Sequence, residues 1–226
     1  RQGNLSRQDA SRLAIICNNA GPAFLFGVLG SMFDTQSYLW ALWGIQIISS
    51  VVMGMMLPGE PNEAYLPTKP EPPTITDAIR IATGSMVSIC SCVILFRMVL
   101  EFLSGWILWI LPDLFQIIIS GVLELSNGCI RLNEITDQSL RFVISSGILS
   151  FGGICVWMQT QSICRGLNIP RYLSWKLLQS CIAIILSVCT IRLLSREFSP
   201  LHVFISIIPV TACFVFVVNR KKGVAF

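Results

Sequence analysis

Charge is the scarcest property of this sequence. Aspartate, glutamate, lysine and arginine make up 12% of its 226 residues, against 54% hydrophobic, and mean hydropathy is +0.71. Soluble domains carry about 25% charged residues. The shortfall excludes an ordinary water-soluble globule and points to a polytopic membrane protein. The excess of positive charge is only +4, too little to argue for a nucleic-acid partner. Histidine is nearly absent, with His202 alone, and no Cys-x-x-Cys pair occurs. The nine cysteines fall mostly within apolar runs and read as small buried hydrophobes rather than metal ligands. No set of residues resembles a hydrolytic triad or a phosphate-binding loop, so no enzymatic activity, metal or cofactor is expected.

Strand-like alternation is also lacking, which leaves helices as the spanning elements: an all-α polytopic membrane protein rather than a barrel. Tyr38–Leu57 and Leu201–Val218 are apolar runs free of Asp, Glu, Lys and Arg, each long enough to cross ~30 Å of hydrocarbon. Between the apolar regions lies a segment, 58–73, in which six of sixteen residues are proline. It cannot be regular helix and reads as a surface linker. It divides the chain into 1–57 and 74–226. In the second part, Thr76 is the candidate cap of a helix running to about 103. A bend follows at Ser104–Gly105, and an apolar run covers 106–123. The basic segment Arg165–Lys176 and the terminal Asn219–Lys222 flank expected spans at 177–194 and 200–218. That arrangement puts both on one side, as the positive-inside tendency requires. The six tryptophans mostly fit interfacial anchors.

Two apolar segments are interrupted. The first reads Asn18-Asn19-Ala20-Gly21-Pro22 and the second Ser150-Phe151-Gly152-Gly153. Irregular backbone survives at membrane depth only inside protein or beside a water-filled cavity. Paired Gly/Pro-interrupted spans therefore point to a binding site, although most such residues serve packing or a mild kink. Asn18 and Asn19 favour the functional reading, because buried amides need partners. Glu124 either lies in a further break, extended by Ser126, Asn127 and Gly128, or sits at the headgroup boundary. Gln159, beyond the second break, either lines a pocket or meets the interface. Arg97 and Glu101, four residues apart, read as a structural pair on one helix face.

The segment Ala10–Phe33 resembles the Asn-x-x-(Gly/Ser)-Pro-x-Phe-x-x-Gly signature of nucleoside-recognition, or gate, domains, as in the sporulation integral membrane protein (YlbJ/SpoVV) family. "GVLELSNG" and "SSGILSFGGICVWMQTQSI" resemble that family's later segments, in order and spacing. The resemblance implies two related halves, each with a re-entrant hairpin and a broken helix, as in concentrative nucleoside transporters. It implies an elevator-type carrier that moves a small organic anion, dipicolinate, across the outer forespore membrane. A nucleoside carrier coupled to Na+ or H+, or a membrane scaffold for spore assembly, are the alternatives. Carried over by position, Asn18, Asn19, Gly21 and Pro22 form the first half's broken helix. Glu124, Ser126, Asn127 and Gly128 open the second half. Ser150, Gly152, Gly153 and Gln159 lie in its hairpin. The implied partners are the anionic substrate, the lipid bilayer and further copies of the chain. On this reading the sequence holds the tail of the first half (1–57) and the second half (74–226).

Overall fold

A helix in lipid must satisfy its own backbone, and the chain does so with nine α-helices and no strand among the described residues. The structure is a computed structural model and describes residues 7–57, 74–163 and 169–195. The 58–73 linker, the expected final span with His202, and the basic Asn219–Lys222 lie outside these residues.

Helix α1 (Arg7–Cys17) stops at the asparagine pair, and α2 (Pro22–Leu29) restarts with proline at its first position. Proline is tolerated there because that N–H has no intrahelical partner. Together they form one interrupted span, 12–29. Helix α3 (Gln36–Met56) is an uninterrupted span. Helix α4 (Ile75–Trp106) is capped by Thr74, whose side chain accepts from the Asp77 N–H. The cap is thus two residues earlier than Thr76, and the helix runs through Ser104–Gly105 before ending at Trp106. At 32 residues it is about 48 Å long. It exposes most of its apolar side chains, among them Ile79, Met86 and Ile94.

The run 106–123 is not one span. A 3₁₀ turn at Leu108–Ile110 and Pro112 interrupt it, leaving α5 (Asp113–Leu123) and, after Glu124, α6 (Leu125–Arg131). Eleven residues reach about 16 Å, half the hydrocarbon thickness. The chain then folds back, and α5 and α6 pack against each other as a helical hairpin. Gly121 and Gly128 make the fold-back possible. A Cβ on Gly128 would overlap the Gly121 Cα. Arg131 ties the arms from α6, donating to Gln116 Oε1 (3.3 Å) and Ser120 Oγ (3.4 Å) while pairing with Glu134.

Helices α7 (Gln138–Phe151) and α8 (Gly153–Ile163) form a second interrupted span, 138–162, and do not lie side by side. The helical hairpin seen among the described residues is at 113–131. Ser150, Gly152, Gly153 and Gln159 belong to a broken span. The break is chemical: Gly152 (φ 82°) and Gly153 (φ 85°) are both left-handed, a conformation that carries no steric penalty for glycine. Asp137 caps α7 by accepting from the Ser139 and Leu140 N–H groups. Arg141 fixes the α7 entrance to the α2–α3 loop by donating to the Ile135 and Met32 carbonyls.

Helix α9 (Ile169–Ser195) contributes the span 172–192. It begins before the expected 177, so Lys176 is inside the span rather than in a flanking basic loop. Trp175, expected as an interfacial anchor, is buried at 3% exposure in a cluster with Ile15, Met53 and Tyr172. The centre of the fold is α3, α7 and α9 packed on one another. Small residues permit the close α7–α9 approach, since lipid offers no hydrophobic drive and packing must supply the attraction. Ser146 donates to the Ala183 carbonyl and Ser180 to the Gly147 carbonyl, crossing the interface in both directions. Among the described residues, five helices or helix pairs are thus long and apolar enough to cross a membrane, and the chain is an integral membrane protein.

Two glycine substitutions should separate turn geometry from composition. Gly128→Ala has no room beside Gly121 and is expected to lower Tm in detergent, with a cost of about 1–3 kcal/mol or more. Gly21 has φ −69°, and a methyl group added there would meet no neighbour within 4 Å. Gly21→Ala should therefore leave Tm unchanged or raise it slightly. Thermal unfolding of both variants checks this, and equal losses would contradict it.

Candidate functional site

The first break releases carbonyls at the end of α1, and those of Ile16, Cys17 and Asn18 find partners. Ile16 O accepts from Asn19 Nδ2 (2.7 Å) and from the Ser50 hydroxyl on α3. Cys17 O accepts from the Asn19 N–H (3.0 Å). Asn18 O accepts from Lys176 Nζ on α9 at 2.8 Å. The second break is covered in the same way. Ile148 O accepts from the Gly152 N–H (3.0 Å), and Leu149 O accepts from Gln46 Nε2 on α3 at 3.5 Å.

Lys176 joins the two breaks. Its Nζ also donates to Gln179 Oε1 (2.8 Å) and Asn19 Oδ1 (3.4 Å). Its Cε lies 3.9 Å from where a Cβ on Gly152 would sit. Gln179 Nε2 donates to Asn19 Oδ1 (3.0 Å). Asn18 Nδ2 donates to Thr160 Oγ1 on α8 and to the Tyr172 hydroxyl, each at 2.6 Å. Asn19 Nδ2 also donates to Ser50 Oγ (3.0 Å). The result is one polar cluster drawn from α1, α3, α8 and α9.

The charge balance of this cluster is unusual. Lys176 is 1% exposed. Helices α3, α7, α8 and α9 contain no aspartate or glutamate, and α1 contains only Asp9. Nine residues of helical rise place that residue about 13 Å from Asn18. Among the described residues the ion pairs are Arg97–Glu101 and Arg131–Glu134, and none involves Lys176. Lys176 lies about one turn inside the 172–192 span, but its ammonium is turned into the protein and bonded at the 18–21 break. Ionisable residues within spanning segments are rare and mark sites more often than packing.

A second polar group adjoins the first. Glu124, 2% exposed, sits at the hairpin turn in extended backbone (φ −143°, ψ 120°). Its carboxylate accepts from the Ser126 N–H (2.9 Å), the Asn127 N–H (2.7 Å) and Asn127 Nδ2 (2.7 Å). Arg97 on α4 donates to Asn127 Oδ1 (2.9 Å) and to Glu101 (3.2 Å). Glu124 is therefore buried within the protein at a hairpin tip. It already fills the N-terminus of α6 that an anion would otherwise use. The two groups meet back to back at the second break. Gly152 faces Lys176, whereas a Cβ on Gly153 would lie 3.2 Å from the Leu125 N and 3.3 Å from the Gly121 O.

Most residues singled out in the sequence converge here. Asn18, Asn19 and Gly152 line the lysine cluster. Glu124, Ser126, Asn127 and Gly128 build the hairpin turn beside it, and Gly153 packs against that turn. Gly21 and Pro22 are exposed and only start α2. Gln159 turns to Cys155 Sγ (3.2 Å) on its own helix and stays out of the cluster. Ser150 is buried, and its hydroxyl has no protein partner; the Gln46 Oε1 is in the same condition. Buried polar atoms of this kind are rare and call for water or ligand. Sequence reading misses Tyr172, Lys176 and Gln179. Their i, i+4, i+7 spacing puts all three on one helix face, which is the available signal.

Comparison of the chain with family models, with curated proteins and with solved structures returned no match.

The hairpin turn yields a labelling prediction. Cys129 is fully buried on α6. In a background retaining only this cysteine, a membrane-permeant maleimide should label it slowly. Glu124→Ala removes the cap, at about 0.5–2 kcal/mol, and should speed labelling several-fold. An unchanged rate would mean that Glu124 does not hold the turn.

Proposed function

We propose that this chain is the transport core of a membrane carrier for a small organic anion. The observation that carries the reading is Lys176: a buried cation without a carboxylate partner among the described residues, held where two spanning helices are broken. Broken helices at such depth are the usual construction of solute sites in secondary transporters. A bound carboxylate would supply the negative charge that the protein omits. The longest of the ammonium's three contacts, 3.4 Å to Asn19 Oδ1, is the one an incoming oxygen replaces at least cost. The open Ser150 hydroxyl and Gln46 carbonyl offer further polar contacts nearby.

The resemblance to the sporulation membrane proteins narrows the anion. We infer dipicolinate, a planar aromatic dicarboxylate, carried across the outer forespore membrane by an elevator-type movement. One carboxylate would meet Lys176, and the amides of Asn18, Asn19 and Gln179 would orient the other polar atoms. A nucleoside would use the same amides and leave the lysine uncompensated, which is why the anion is preferred. A scaffold role gives no reason for a lysine at a helix break.

Uptake of labelled dipicolinate into proteoliposomes bearing the full-length protein tests the reading. Wild-type uptake should be competed by other pyridine dicarboxylates and not by nucleosides. Asn19→Leu should reduce it to background while membrane insertion is retained. Competition by nucleosides alone, or full uptake by a well-inserted Asn19→Leu variant, would remove the proposal.

A further inference from the structure

We propose that Lys176 is the resident cation of this site: its ammonium occupies the place between the helix breaks that a bound sodium ion would take, so substrate binding needs no sodium. The substrate half of this statement rests on the anion-carrier reading. The cation half rests on geometry alone.

Where spanning helices are interrupted, freed carbonyls and the C-terminal ends of half-helices form the usual coordination for sodium. Both kinds of group are present here: the ammonium takes the freed carbonyl of the first break, while at the second the freed carbonyls are bonded by the Gly152 N–H and Gln46 and the lysine stem lies against Gly152. The C-terminal end of α1 presents Asn18 O at 2.8 Å. The C-terminal end of α7 is Gly152, against which the lysine stem packs. Each of these ends carries the negative pole of its half-helix, about half an elementary charge for a full-length helix. The remaining contacts are two amide carbonyl oxygens, Gln179 Oε1 at 2.8 Å and Asn19 Oδ1 at 3.4 Å. All three partners are neutral oxygens, the donor type of a hard-cation site. An ammonium has three N–H donors and no acceptor, so three oxygens saturate it.

The surrounding helices fit one positive charge and not two. No carboxylate arises from α3, α7, α8 or α9 to offset a second cation. The neighbouring carboxylate, Glu124, lies across the Gly152–Gly153 junction and is committed to the N–H groups of Ser126 and Asn127. Arg97, the charged group nearest that turn in the hydrogen-bond chain, faces Asn127 and Glu101. A sodium ion entering beside the ammonium would be repelled by it and would find no carboxylate on these helices to offset its charge.

The test uses the purified full-length protein in detergent, with choline chloride exchanged for sodium chloride at constant ionic strength. Wild-type Tm should be the same in both salts to within about 1 °C. Lys176→Gln should lose stability in choline chloride and regain at least about 3 °C as sodium is raised, with saturation. Lys176→Arg, which keeps the charge, should show no sodium response. A sodium-dependent rise in wild-type Tm, or a Lys176→Gln variant that folds and ignores sodium, would overturn the proposal. If Lys176→Gln does not fold, equilibrium binding of ²²Na⁺ to wild type decides: saturable binding contradicts the proposal, and its absence supports it. Dipicolinate enters none of these measurements. Failure of dipicolinate uptake with the sodium pattern intact would therefore sink the carrier reading and leave the resident cation standing.

Discussion

A helix that stops inside hydrocarbon strands backbone carbonyls and N–H groups that lipid cannot satisfy. Everything distinctive in this fold follows from meeting that demand twice. At the α1–α2 break the carbonyls of Ile16, Cys17 and Asn18 are taken by Asn19, Ser50 and Lys176. At the α7–α8 break those of Ile148 and Leu149 are taken by the Gly152 N–H and Gln46. Apart from Asn19 and Gly152 themselves, the partners come from α3 and α9, the uninterrupted spans packed against α1 and α7. The unbroken helices thus act as braces for the broken ones, and their polar residues are placed at matching depth.

The hairpin answers the same demand differently. Its turn needs an acceptor for the first N–H groups of α6, and Glu124 provides it from within the chain. Burying a carboxylate in this way is tolerable because three donors surround it. The close approach of Leu125 and Gly121 to Gly153 places the turn directly behind the α7–α8 junction. Opening the hairpin would therefore bear on the break, and through Gly152 on the lysine. That continuity gives a physical route by which movement of one element could expose the polar cluster.

Much of this is legible in the sequence, for reasons that are local. Gly152-Gly153 and Asn18–Pro22 break helices by their own backbone preferences, and both breaks stand where the pattern puts them. The Arg97–Glu101 pair follows from spacing alone. The fold-back at Glu124 is not legible in the sequence because it depends on a close contact between Gly121 and Gly128, which hydropathy does not encode. Lys176 is hidden for a related reason. A lysine three residues from Leu173 and next to Trp175 resembles a flanking basic loop until the α1–α2 break and Gly152 are seen to lie against it. Gly21, by contrast, looks necessary and is not, since its backbone is ordinary and its surroundings open.

An ammonium sealed between two helix breaks should be out of reach of an aqueous reagent. Reductive methylation of the folded protein in detergent, read by peptide mass spectrometry, tests that sealing directly. Lys176 should remain unmodified in the native protein and become fully methylated only after unfolding in SDS. Native methylation of Lys176 at the rate seen in SDS would show that the ammonium is open to solvent, and the α1–α2 break would then not be closed by it.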